Sequence, residues 1–278
     1  MHDAHPGSLS FLVVAGCALM MLCGCAPRTA RQETAVAAPS IGPPEFRESS
    51  ASGETAASSI YPDDEVALWA VCSQEEMANL ALEAESGDGL KALQMAACYA
   101  ASLMERSSPK RPGDLDSARS GRRYAELAVG RFPDSGLAHY LVALLTALEA
   151  ERNPARGLSL VPIVEREALL ASRLNPGVDR GGPDRLLGEL YLHAPGFPMS
   201  LGDSTKSAAH FRRALSYDDD YPENRLGLVE ALMAGEENRE ACQELSRVLA
   251  DLIEQHPARD SSRAALNLLK RLCLRLEH

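Results

Sequence analysis

Two stretches of the chain repeat one spacing of small residues ahead of a proline. They are Gly121-x3-Ala125-x2-Ala128-x4-Pro133 and Val164-x3-Ala168-x2-Ala171-x4-Pro176. Residues three and four apart share a helix face, so each stretch reads as a helix shaved on one side, where a neighbouring helix can come close. The proline then ends it, because it has no N–H to donate and clashes with the preceding turn. Composition agrees: 45% of the residues are hydrophobic and only 5% aromatic. The apolar positions are mostly Leu and Ala with few β-branched runs, which favours helix over strand. A chain of 278 residues can bury a core as one large domain or as an array of repeats.

The partners of these helices can also be read. Leu137, Leu141, Leu144, Leu145 and Leu148 recur at helical period after Pro133. Leu187-Gly188 followed by Tyr191 sets a large, a small and an aromatic residue on one face, with Gly182 as candidate cap and Pro183 as first residue. Ser207-x3-Phe211-x2-Ala214 follows, capped by Asp203, and the Pro/Gly-rich segment 194–201 between the two reads as a rigid protruding loop. These alternating patterns resemble the first and second helices of tetratricopeptide repeats. On either side, a helix is expected from Asp63 to Glu85, stopping at Ser86-Gly87, and another carries Leu90, Leu93, Ala97, Ala100 and Met104. Asp220-Tyr221-Pro222-Glu223 starts a helix with Leu226, Val229 and Met233 inward, then come helices through Leu245–Ile253 and Leu268–Leu276. The expected fold is all-α, a tetratricopeptide-like solenoid of about ten antiparallel helices with a concave surface or cleft.

The first 60 residues read differently. Leu9 to Leu22 is an apolar run shorter than the ~20 residues a spanning helix needs, and it suits the core of a secretory signal. It ends in Leu22-Cys23-Gly24-Cys25, which resembles the bacterial lipobox and implies that Cys25 is lipidated and becomes the first mature residue. The alternatives are an ordinary cleaved signal or an uncleaved anchor. Ala26 follows where an Asp would mark inner-membrane retention, so the resemblance implies a periplasmic protein held on the inner leaflet of the outer membrane. From Arg28 to Ile60 the chain is Ala, Ser, Thr, Pro, Gly and Glu with almost no large apolar residue, and it reads as a tether. The expected division is residues 1–24 as signal, 25–60 as lipidated Cys and linker, and 61–278 as repeat domain.

Four cysteines remain: Cys72, Cys98, Cys242 and Cys273. Cys242 and Cys273 flank the turn near Pro257, and Cys72 and Cys98 flank the one near Gly87, so antiparallel helices would bring each pair together. The pairs Cys72–Cys98 and Cys242–Cys273 are expected. The alternative is free, buried Cys acting as small apolar residues.

Signals for chemistry are few. The histidines show no metal-ligand spacing to one another or to Cys. Asp218-Asp219-Asp220 with Glu223 lacks the alternation and central Gly of a calcium loop and reads as a capped turn. Asp179-Arg180-Gly181-Gly182-Pro183 could offer backbone amides to an anion at a helix start, or could be a turn that lets helices pack. Neither a Ser/His/Asp or Cys/His set nor a phosphate loop can be assembled, so no enzyme and no cofactor or metal is expected. A net charge of −11 gives no general attraction for nucleic acid.

The run Asn175-Pro176, Gly181-Gly182-Pro183, Leu187-Gly188, Tyr191, Pro195-Gly196, Gly202-Asp203, Ala208, Phe211 and Ala214 resembles the TatT component family of tripartite ATP-independent periplasmic (TRAP) transporters. These are periplasmic tetratricopeptide lipoproteins. The resemblance implies a cleft or partner-binding site around Gly181, Gly182, Pro183, Leu187, Tyr191, Pro195 and Phe197. It also implies a periplasmic solute-binding protein as partner, a possible homo-trimer, and an apolar small ligand. The alternative is a tetratricopeptide scaffold for envelope proteins, in outer-membrane protein insertion or pilus biogenesis, recognising extended peptides.

Overall fold

The computed structural model describes residues 66, 68–104, 111–255 and 273, with backbone alone for 251–255. The signal, Cys25, the linker, Asp63-Asp64 and the closing helix through Leu268–Leu276 lie outside the described residues, apart from Cys273, which is helical. Among the described residues there are nine helices in chain order: α1 (Gln74–Glu85), α2 (Gly89–Met104), α3 (Asp114–Arg131), α4 (Gly136–Arg152), α5 (Pro154–Leu174), α6 (Gly182–His193), α7 (Ser204–Tyr217), α8 (Pro222–Ala234) and α9 (Asn238–Gln255). Each packs on the next, and α2–α4, α4–α6 and α6–α8 also touch. The even-numbered helices therefore form one layer and the odd-numbered ones pack against it. The fold is all-α, a tetratricopeptide-like helical-repeat array, and its only β feature among the described residues is an isolated bridge between Gly196 and Gly202. No helix among them is long and apolar enough to cross a membrane.

Local chemistry sets the helix ends. Ser73 and Glu76 form a reciprocal capping box, with Glu76 N–H donating to Ser73 Oγ at 3.2 Å and Ser73 N–H to Glu76 Oε2 at 2.7 Å. This corrects the expected start at Asp63: the described residues from 66 to 73 are not helical, because the cap that satisfies the first amides stands at Ser73. Gly87, at φ +103°, closes α1. Asp88 then accepts from the Leu90 and Lys91 amides, and Asp203 likewise from Thr205 and Lys206. A second correction moves the α6 cap by one residue. It is Gly181, at φ +81°, with Gly182 and Pro183 inside the first turn.

Helix α4 is buried on every side from Gly136 to Glu149, which places it at the centre of the larger core. Helices α1, α2, α3, α5 and α6 and Val178 supply the rest, and the small residues of the repeated spacing lie at the contacts: Ala125, Ala128, Ala168 and Ala171 are fully buried. A Cβ on Gly121 would come within 2.6 Å of Tyr99 on α2 and 2.9 Å of Leu145 on α4. A smaller core unites Phe211 of α7, Leu228, Val229, Ala231 and Leu232 of α8 and Ala241 of α9. Here Met233, expected inward, is 57% exposed. Leu228 and Leu232 take the inner position, because α8 is wedged between α7, α9 and α6 and turns that face to the core.

Cys72 is bonded to Cys98, across a Cα–Cα distance of 5.5 Å, and Cys242 to Cys273, across 5.7 Å. The first bond fixes the segment before α1 to α2. The second fixes α9 to the helical residue Cys273.

Candidate functional site

The turn from α5 into α6 is densely hydrogen-bonded. Asp179, Arg180 and Gly181 are three successive left-handed residues, at φ +48°, +56° and +81°. Only Gly181 takes that conformation without a Cβ penalty, and it also packs against Ala214, where a Cβ would sit 2.8 Å from the carbonyl oxygen. The Asp179 carboxylate accepts the Tyr140 hydroxyl of α4 at 2.7 Å, the Trp69 indole N–H at 2.7 Å and the Arg185 guanidinium of α6. Arg185 also donates to the carbonyls of Asp179 and Arg180 and to Asn224 Oδ1 of α8. Asn224 in turn donates to the carbonyls of Arg180, Ala214 and Asp218. The ring of Tyr221 lies under Arg185 at 4.8 Å and Arg180 at 5.2 Å. One carboxylate, one guanidinium and one amide thus join α4, α6, the end of α7 and the start of α8.

The electrostatics of this hub are self-contained. Burial alone would push the Arg185 guanidinium down, and Asp179 together with Tyr140, Tyr221 and Glu223 more than reverses that. Burial and the Asp179 charge hold the Tyr140 hydroxyl well above the ordinary tyrosine range, so it stays a donor. The α6 start is not an anion site. The Gly182 N–H is used by the Val178 carbonyl at 2.8 Å, and the local carboxylate is Asp179 itself. Nor do Asp218–Asp220 form a calcium loop: Asp218 pairs with Arg180 at 3.6 Å and caps the Asp220 amide. Among the described residues no three or more His, Cys, Asp or Glu side chains are grouped to hold a metal.

In the first turn of α6, next to Arg185, Asp184 is fully buried and accepts from Ser172 of α5 at 2.8 Å and from Arg213 of α7 at 2.9 Å, with His210 Nδ1 of α7 at 2.8 Å. Burial raises its pKa, but these hydrogen bonds and the Arg213 charge outweigh burial and hold the carboxyl below its usual range. Tyr191 stacks on His210 with ring centroids 5.2 Å apart and donates to Glu165 of α5 at 2.6 Å. The arrangement is adhesive rather than catalytic, since the carboxylate stands between the serine and the histidine.

Beyond His193 the chain makes a tied loop before α7. Asp203 N–H donates to the Tyr191 carbonyl at 2.8 Å, Gly202 N–H to Pro195 at 2.9 Å, and Met199 N–H to Gly196 at 3.1 Å. A Cβ on Gly202 would lie 2.0 Å from the Ala194 carbonyl oxygen, so no other residue closes the loop in this form. The tied backbone presents apolar side chains to solvent: Phe197 is 93% exposed and Met199 71%.

Of the residues expected to line a cleft, Gly181, Gly182, Pro183, Leu187 and Tyr191 are buried in helix packing, which corrects that expectation: they build the seam. Pro195 and Phe197 are exposed on the loop. A separate cavity of about 450 Å³ lies between the α1–α2 turn and α3, lined by charged and apolar side chains together, Glu85, Asp88, Ala92, Arg123, Leu127 and Arg131 among them. The hub residues Trp69, Tyr140, Arg185 and Asn224 carry no spacing signal. Trp69 lies 110 residues from Asp179, and the Tyr140–Asp179 and Arg185–Asn224 contacts each bridge 39.

No protein-family profile matches the chain, and no curated protein matches it. Among solved structures it is similar to a thermophilic TPR protein of Thermus thermophilus, at 19% identity over 70% of this chain and 97% of that one, with a TM-score of 0.41.

Proposed function

We propose that this chain is a lipid-anchored periplasmic scaffold that docks a partner protein through the α6–α7 loop. The observation that supports it is the pairing of an internally bonded loop backbone with solvent-facing Phe197 and Met199. A loop held in one shape loses little entropy on binding, and large apolar side chains are the usual anchors of an interface. Two disulfides suit an oxidising compartment and so favour export. With the lipobox-like Cys25 and the TatT-like run, the reading is a TRAP-type accessory component whose partner is a periplasmic solute-binding protein.

The test replaces Phe197 with a photo-crosslinking phenylalanine analogue in cells and identifies the product by mass spectrometry. A crosslink to a solute-binding protein is the expected result. A crosslink to outer-membrane insertion or pilus subunits overturns the transport reading in favour of envelope assembly. No crosslink from position 197 or from position 199 overturns the docking role of the loop.

A further inference from the structure

Several buried carboxylates of the array face an arginine. Glu149 meets Arg119 and Arg122, Asp184 meets Arg213, and Glu244 meets Arg225. Glu189 of α6 has no such partner. It is 8% exposed, its Oε2 is inaccessible, and no group among the described residues donates a hydrogen bond to that oxygen. His193, one turn on in α6, meets Oε2 at 3.1 Å without the alignment of a hydrogen bond. A like charge is beside it. Glu230 lies at the surface of α8, the helix that touches α6 within the even-numbered layer. Partial burial and then the Glu189 charge raise the Glu230 pKa, with His193 opposing them. The basic side chains of α7 and α8 are turned to other partners: Arg213 to Asp184, Arg212 to Glu240, Lys206 to the Tyr191 ring and Arg225 to Glu244.

Two carboxylates on adjacent helices, one of them buried with an unpaired oxygen, cost stability until a cation joins them. Among the described residues no three His, Cys, Asp or Glu side chains are grouped to hold a metal ion. The fitting cation is therefore one that brings its own N–H donors. A guanidinium is planar and forked, so it can donate to two carboxylates at once, and it gives up its water more readily than an ammonium does. We propose that Glu189 and Glu230 form an arginine-binding site, in which the guanidinium of a partner protein's arginine bridges α6 and α8, with Glu189 as the buried floor and Glu230 as the rim. The net charge of −11 favours approach of such a cationic segment. The site is independent of the α6–α7 loop and stands even if Phe197 and Met199 touch nothing.

The probe is the peptide coumarin-Gly-Ala-Arg-Ala-amide, uncharged apart from its guanidinium, titrated with the full chain and read by fluorescence anisotropy. Binding should saturate. The same peptide with citrulline, equally planar but neutral, should bind at least tenfold more weakly. Glu189→Gln and Glu230→Gln keep the side-chain shape and remove the charge. The first should weaken binding at least tenfold and the second severalfold, since the rim carboxylate is screened by water. Glu75→Gln, on the exposed face of α1, should leave binding unchanged. No saturation up to millimolar chain, equal binding of the citrulline peptide, or equal binding by wild type and both Gln variants overturns the proposal. A fall in Glu75→Gln as large as in Glu189→Gln would show a general charge effect and overturn it too. If Glu189→Gln does not fold, Glu230→Gln, which relieves the like-charge pair, carries the comparison, and binding equal to wild type overturns the site. Methylguanidine competing as tightly as the peptide would assign the site to a free small cation and overturn the partner reading.

Discussion

The Phe211 ring lies against Gly227 so closely that a Cβ at 227 would come within 2.0 Å of it, and Gly188 faces the same ring from α6, with a Cβ there reaching 2.7 Å. One fully buried phenylalanine of α7 is thus clasped by glycines from the two even-numbered helices beside it. Its neighbours are α6 and α8 themselves, so the ring cannot yield without moving a helix. Gly227→Ala should lower stability by about 1–3 kcal/mol, the usual cost of overpacking, and Gly188→Ala should act in the same direction but less. Gly130, with nothing within 4 Å of its missing Cβ, is the control. Gly130→Ala should raise stability by about 0.5–1 kcal/mol through helix propensity alone. Denaturant midpoints of the three variants check this.

Asp184 should make the fold acid-sensitive. Its carboxyl is held below the usual range despite burial, through Ser172, His210 and Arg213. Such a group contributes stability in full above its unfolded pKa of about 3.9, and loses it as pH falls through the lower folded value. Wild-type stability should therefore drop steeply below about pH 4. In Asp184→Asn the curve should start lower at neutral pH and run flatter through the acid range. Thermal melts from pH 7 to pH 3 measure both slopes.

Glu230 should act with the opposite sign. Burial, then the charge of Glu189, raises its pKa, with His193 acting the other way. A raised carboxyl contributes its stability below the unfolded pKa of about 4.3 and loses it as pH rises through the folded value, so at neutral pH the ionised form is a liability. Glu230 stands at the surface, where solvent screens these charges, so Glu230→Gln should raise the melting temperature at pH 7 only slightly. The difference should vanish below about pH 4.

The two disulfides close loops with sequence separations of 26 and 31 residues. In the chain-entropy account each should contribute about 3.5 kcal/mol by constraining the unfolded chain. Reductant should therefore lower the denaturant midpoint, and Cys242→Ser and Cys72→Ser should each account for part of the fall. Maleimide labelling in denaturant without reductant should leave Cys72, Cys98, Cys242 and Cys273 unmodified.

How much of this was legible depends on how local the determinant is. The repeated Gly/Ala spacing, the Ser86-Gly87 stop and the Asp203 cap are written within a few residues of where they act, and they lie where the structure needs them. The phase of α8 was not legible. Leu226, Val229 and Met233 make one apolar stripe and Leu228 and Leu232 another, and the wedging between three helices buries the second together with Val229 while leaving Met233 out. The true start of α1 was hidden by the acidic pair Asp63-Asp64, which mimics a first turn ahead of the real box at Ser73 and Glu76. The Asp179 hub was least legible, because Trp69, Tyr140, Arg185 and Asn224 meet only after the helices have stacked. For the same reason Leu187 and Tyr191 were read as cleft residues. Their spacing marks a helix that packs closely, and close packing buries them.

That hub also gives the sharpest energetic test. Asp179 and Arg185 are both nearly inaccessible, and each carries a charge that the other neutralises. Asp179→Ala would leave the Arg185 guanidinium buried against three neutral carbonyl oxygens, with Tyr140 and Trp69 losing their acceptor. Removing one partner of such a pair costs about 3–5 kcal/mol, mostly as uncompensated charge. Arg185→Met alone should cost a similar amount, by stranding the carboxylate. The double variant Asp179→Ala with Arg185→Met removes both charges and should be distinctly more stable than the sum of the single losses implies, by about 1 kcal/mol or more of coupling. Denaturant unfolding of the four chains closes the cycle. Additive losses would show that the pair does not hold the α6 start in place, and that the tie runs through Asn224 instead.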